Sequence, residues 1–134
     1  MQARVDWFYG RAGCGASASA KEFLAKHGFR PVRTLDARRA RLGRMEAFRL
    51  LKQAVEIYVT RGRFTVYIHL RSHKPDADAL ARLVLGRTGR LRAPSMRCGT
   101  TFVIGFDEAT YRNVLGMRDA RAAAGMSPGA FPAA

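Results

Sequence analysis

The sequence predicts a mixed α/β domain, ordered as strand–helix–strand, a helical middle, then strand–strand–helix. Three observations predict it. A β-branched and aromatic run, Val5–Tyr9, leads through a glycine-bounded loop into an amphipathic stretch and a second extended segment. That succession occupies about 35 residues, the size of a β-α-β unit. Apolar residues then recur at helical spacing through the centre. Towards the C-terminus a short extended segment, a turn and a second β-rich run precede a capped helix.

The elements follow in order. Val5–Tyr9, bounded by Gly10 and Gly13, reads as a buried strand. Residues 16–27 carry Ala20, Phe23, Leu24 and His27 at i, i+3, i+4, i+7, and Gly28 supplies a stop. Phe29–Leu35 is a short second extended segment. A helix fits Met45–Val55, with Phe48, Leu51 and Val55 on one face. Phe64–Leu70 fits a strand or the end of a helical insertion. Pro75-Asp76 starts a helix whose face carries Leu80, Leu83 and Val84, stopped by Gly86. After Pro94 comes Ser95–Arg97, then Cys98-Gly99 as a two-residue hairpin turn and Thr100–Gly105 as the returning strand. Asp107 caps a last helix with Tyr111, Val114 and Leu115 on its face. From Met117 onward Ala, Gly and Pro dominate, the composition of a loosely docked tail.

Composition bounds the function classes. A chain of 134 residues suits one domain. Its 48% hydrophobic content excludes wholesale disorder. No apolar run approaches the roughly 20 residues that span a bilayer, and the N-terminal stretch lacks the apolar core of a signal peptide. A cytoplasmic protein without a membrane partner is expected. Two cysteines, Cys14 and Cys98, build neither a disulfide framework nor a four-cysteine zinc site. Lys+Arg 24 against Asp+Glu 10 leaves a net charge of +14, and 20 of those cations are Arg. Such an excess steers polyanions or small anions inward, but solvated arginine-rich faces explain it equally well. The densest block, Arg30–Lys52, lacks the alternating aromatics of a base-stacking surface, so weak non-specific polyanion binding is the expectation.

One site carries a chemical argument: Gly13-Cys14-Gly15-Ala16-Ser17. Cys14 falls where a strand ends and a helix begins. Unpaired N–H groups and the helix dipole stabilise a thiolate there. Ser17 lies one turn on and can point its hydroxyl at the sulfur, while Gly13 and Gly15 allow a substrate to approach the backbone. A buried cysteine of this kind also serves as a small inert hydrophobe, so the pattern alone leaves both readings open. Cys98 lies four residues beyond Pro94, roughly 13 Å along a strand, too far to bridge to Cys14. It reads as an exposed turn cysteine. His69 and His73 are interrupted by Ser72 and Lys74-Pro75, which argues against a metal site. Arg61 and Arg63 read as a solvated loop or as an anion-binding aid.

The order of elements is the topology of the thioredoxin fold with a helical insertion. The Cys14–Ser17 turn, the stretch Leu85-Gly86-Arg87-Thr88-Gly89-Arg90-Leu91-Arg92-Ala93-Pro94, and Gly105-Phe106-Asp107 resemble the arsenate-reductase-like (ArsC/Spx) branch of the thioredoxin superfamily. The resemblance is to its small bacterial ArsC-like members and runs from about Asp6 to Gly116. It implies a thioredoxin-like ArsC-type domain over 1–116, with the helical insertion at about 37–91, followed by the 117–134 tail. It implies Cys14 as nucleophile, Ser17 at the second motif position, and Pro94 as the proline, typically cis, that positions substrate backbone. Gly13, Gly15, Arg92 and Pro94 would then shape the substrate face. Ala93 separates Arg92 from Pro94, where arsenate reductases have an adjoining arginine, and Ala18 replaces a basic residue usual there. The implied activity is a thiol oxidoreductase with no bound cofactor. It forms a mixed disulfide with glutathione or another small thiol, and takes a small thiol or oxyanion substrate and a glutaredoxin-type reductant. The alternatives are a non-catalytic, Spx-like regulator and a polyanion-binding protein on the same fold.

Overall fold

The computed structural model describes residues 4–117, so all of the expected tail except Met117 lies outside the described residues. The elements are β1 (Trp7–Gly10), α1 (Gly15–Lys26), β2 (Arg33–Asp36), α2 (Arg44–Leu51), β3 (Glu56–Arg61), β4 (Phe64–His69), α3 (Leu70–His73), α4 (Ala77–Val84), β5 (Ser95–Cys98), β6 (Thr101–Ile104) and α5 (Glu108–Val114). The strands form one six-stranded mixed sheet in the order β2-β1-β5-β6-β3-β4. β1 runs parallel to β2, β5 runs antiparallel to both β1 and β6, β3 is parallel to β6, and β4 is antiparallel to β3.

Alternation along the strands builds a core on each face. Trp7, Tyr9, Ile57, Val59, Phe102 and Ile104 face one side, against Ala47 and Leu51 of α2 and Leu80 and Val84 of α4. Phe8, Tyr58, Met96 and Val103 face the other, against Ala20, Phe23 and Leu24 of α1 and Tyr111 and Leu115 of α5. The result is a helix–sheet–helix sandwich. Local chemistry sets several boundaries. Asp107 accepts from Thr110 N–H at 3.0 Å and Asp76 from Ala79 N–H at 3.3 Å, each supplying a capping acceptor. Gly28, at φ +79, ends the turn after α1.

The middle of the chain corrects the expected helical insertion. It holds α2, α3 and α4, but also the β3–β4 hairpin. α2 stops at Leu51, and Glu56–Arg61 is a strand that the helical reading of Val55 hid. Ile57, Tyr58, Val59 and Thr60 are all buried, so β3 is covered on both faces and shows no alternation to mark it. Phe64–His69 is resolved as a strand. The β5–β6 turn is Gly99-Thr100, one residue later than expected, with Cys98 paired to Thr101 and Gly99 at φ +62. A two-residue hairpin needs its positive φ at a residue without a Cβ, and only Gly99 supplies it.

Candidate functional site

The loop after β1 places the site. β1 ends at Gly10, and Gly13 turns the chain at φ +82 so that Cys14 becomes the N-cap of the twelve-residue α1, in extended conformation (φ −96, ψ 122). Glycine is not sterically required at the first helical position, because a Cβ at Gly15 would meet no atom within 4 Å. Cys14 is partly exposed, whereas Ser17 is buried on the first turn.

The Ser17 hydroxyl has two roles. Its oxygen accepts the Arg11 N–H at 3.0 Å, which ties the loop to the helix. Its proton remains free to serve the sulfur. The Cys14 side chain makes no capping bond to the helix N–H groups. Its thiol nevertheless ionises more readily than an ordinary cysteine. Partial burial opposes ionisation, but the Ser17 hydroxyl, the Ser17 and Ala16 N–H groups and the Arg11 charge together outweigh it. Arg11 is the contributor that sequence reasoning missed. Its place three residues before Cys14, in the glycine loop, was the available signal.

Strand register decides what stands opposite. Tyr9 pairs with Ser95, which brings the Gly10–Cys14 loop and the segment ahead of β5 to one end of the sheet. The Ala93–Pro94 peptide is cis. Pro94 itself is buried, and its carbonyl accepts the Gly105 N–H at 2.7 Å. Arg92 reaches the same end, but its side chain leans away from β1. One guanidinium nitrogen donates to the Thr60 carbonyl at 3.0 Å, and another is buried without a partner among the described residues. Gly13, Cys14, Gly15 and Ser17 therefore sit together in the loop and first turn of α1, Pro94 precedes β5 at the same end of the sheet, and Arg92 is directed towards Thr60 of β3.

Cys98 differs from the exposed turn cysteine expected. It is buried at the far end of β5, and that burial, with Asp6 nearby, pushes its thiol up to about 12. The one-residue shift of the turn is the cause, because it moves Cys98 from the loop into the ladder. His73 Nδ1 accepts the His69 N–H at 2.8 Å, and no metal-binding group of His, Cys, Asp or Glu exists among the described residues. Among those residues no helix is long and apolar enough to cross a membrane. No protein-family model matches the chain, and no curated protein is significantly similar to it.

Proposed function

We propose that the chain is a thiol oxidoreductase of thioredoxin-like, ArsC-type architecture that works through Cys14 alone. The observation that carries the reading is a partly exposed cysteine at a helix N-cap whose thiol is held below its ordinary value. The order β2-β1-β5-β6, with β5 antiparallel to both neighbours, supports the thioredoxin-like assignment, and the β3–β4 hairpin extends that core at one edge.

The reaction needs a disulfide and an external thiol. The Cys14 thiolate attacks the glutathione sulfur of a mixed-disulfide substrate. A Cys14–glutathione disulfide forms, and the substrate sulfur leaves with the electron pair as a thiolate. A second glutathione, or a glutaredoxin-type reductant, then attacks that glutathione sulfur and releases the Cys14 thiolate. Ser17 and the helix N–H groups stabilise the thiolate at both steps. Cys98 is buried at the opposite end of β5 and supplies no resolving thiol. The net charge of +14 draws anionic glutathione towards the protein, and a reducing cytoplasm would supply it.

The test is alkylation of the native protein across pH, with each cysteine followed by mass spectrometry. Cys14 is expected to react near neutral pH and Cys98 only after unfolding. Glutathione disulfide should leave a single adduct, on Cys14. Equal titration of both cysteines near 8.5 would refute the proposal.

A further inference from the structure

β4 is one of the two edge strands of the sheet, and among the described residues no strand protects its outer side. Edge strands are normally blunted by inward charges, proline or a covering element. Here Phe64 and Val66 lie on one face at 77% and 38% exposure, next to the buried Ile68.

The hydrogen-bonding phase of that edge follows from the hairpin. Arg61 and Phe64 flank the two-residue loop Gly62-Arg63, so they form a bonded pair, as do Val59–Val66 and Ile57–Ile68. Leu70 N–H donates to the Val55 carbonyl at 2.7 Å, in the same phase. Thr65, Tyr67 and His69 therefore direct their N–H and C=O groups outward. The His69 N–H is already taken by His73, which leaves Thr65 and Tyr67 as the open pairing groups.

Charge selects the occupant. Arg61 and Arg63 flank the start of β4, and Arg71 and Lys74 follow its end, all exposed. Two acids lie close by in the fold or sequence: Glu56 accepts the Tyr67 hydroxyl at 2.6 Å, and Asp76, two residues after Lys74, accepts the Ala79 N–H at 3.3 Å as a helix cap. A second copy pairing antiparallel along β4 would set Arg63 against Arg71 and Lys74, cation against cation. An extended segment with acids at both ends and apolar residues between them meets cations at each end and Phe64 and Val66 in the middle. We propose that β4 accepts such an acidic peptide segment of a partner protein as an added strand, a surface separate from Cys14.

The probe is a fluorescent peptide, Glu-Glu-Val-Thr-Val-Thr-Val-Glu-Glu, with the full-length protein. Binding is expected to weaken about tenfold when the amides that would face Thr65 and Tyr67 are N-methylated, and to be lost when Lys replaces each Glu. Amide exchange of Thr65 and Tyr67 should be fast in the free protein and slow about tenfold with saturating peptide. Val66→Lys should abolish binding while Cys14 alkylation stays unchanged, which controls for folding. Equal binding of the N-methylated or Lys peptide overturns the proposal. So does protection of Thr65 and Tyr67 without peptide, which would mean that the chain's own C-terminal segment or a second copy already covers the edge.

Discussion

Replacing Ser17 by Ala tests the site most directly. The change deletes a hydroxyl on the first turn of α1 that is buried to 2% exposure and whose oxygen accepts the Arg11 N–H at 3.0 Å. Two effects follow. The thiolate loses a hydroxyl donor, and a hydrogen bond to a charged group is worth about 1.5–3 kcal/mol. Because the sulfur is partly exposed, water recovers part of that, leaving about 1.4 kcal/mol, about a factor of ten against ionisation. At a pH well below the thiol's value the thiolate fraction then falls about tenfold. The more basic sulfur is intrinsically about threefold more nucleophilic, so exchange with glutathione disulfide should slow only about threefold. Separately, the Arg11 N–H loses its acceptor. Arg11 is exposed, so water replaces it and the stability cost is about 1 kcal/mol. The assay is the pH–rate profile of exchange, read beside a denaturant melt. A folded variant whose Cys14 titrates unchanged would refute the claim that Ser17 holds the thiolate.

Three further outcomes are expected. Tyr111 is fully buried and its hydroxyl has no partner among the described residues, so Tyr111→Phe should leave the unfolding free energy from a denaturant melt unchanged or raise it by up to about 1 kcal/mol, whereas a clear loss would reveal a hidden acceptor. The Gly99 N–H and the Arg4 guanidinium hold the Asp6 carboxyl below its ordinary value, so its contribution is present above about pH 4 and is lost as pH falls through the lowered value. Asp6→Asn should cost about 1 kcal/mol at neutral pH and flatten that acid limb, as followed by melts from neutral to acid pH. Replacing the exposed Arg38, Arg39 and Arg41 by Ala should weaken low-salt adhesion to duplex DNA and reduce its salt slope, with Cys14 reactivity unchanged; sequence-selective binding at physiological salt would contradict this.

Local chemistry was legible wherever one segment contains its own instructions. α1 is written into Ala20, Phe23 and Leu24 with Gly28 behind them, α4 into Asp76 with Leu80 and Val84, and α5 into Asp107 with Tyr111 and Leu115. Cys14 at a helix start followed from the same signals, because a cap and a stripe act within one or two turns. The tertiary structure alone decided three things. It made Glu56–Arg61 a strand, since a segment buried on both faces has no period that separates it from a helix. It buried Cys98, since a one-residue change of turn moves a side chain from loop to ladder. It drew Arg92 to Thr60, on a strand 32 residues away in sequence, since a long side chain takes whichever carbonyl the sheet order brings within reach. Spacing along the chain records neighbours within a few residues. The order of strands, and with it the company that each end of the sheet keeps, is set by how both faces bury their apolar residues at once.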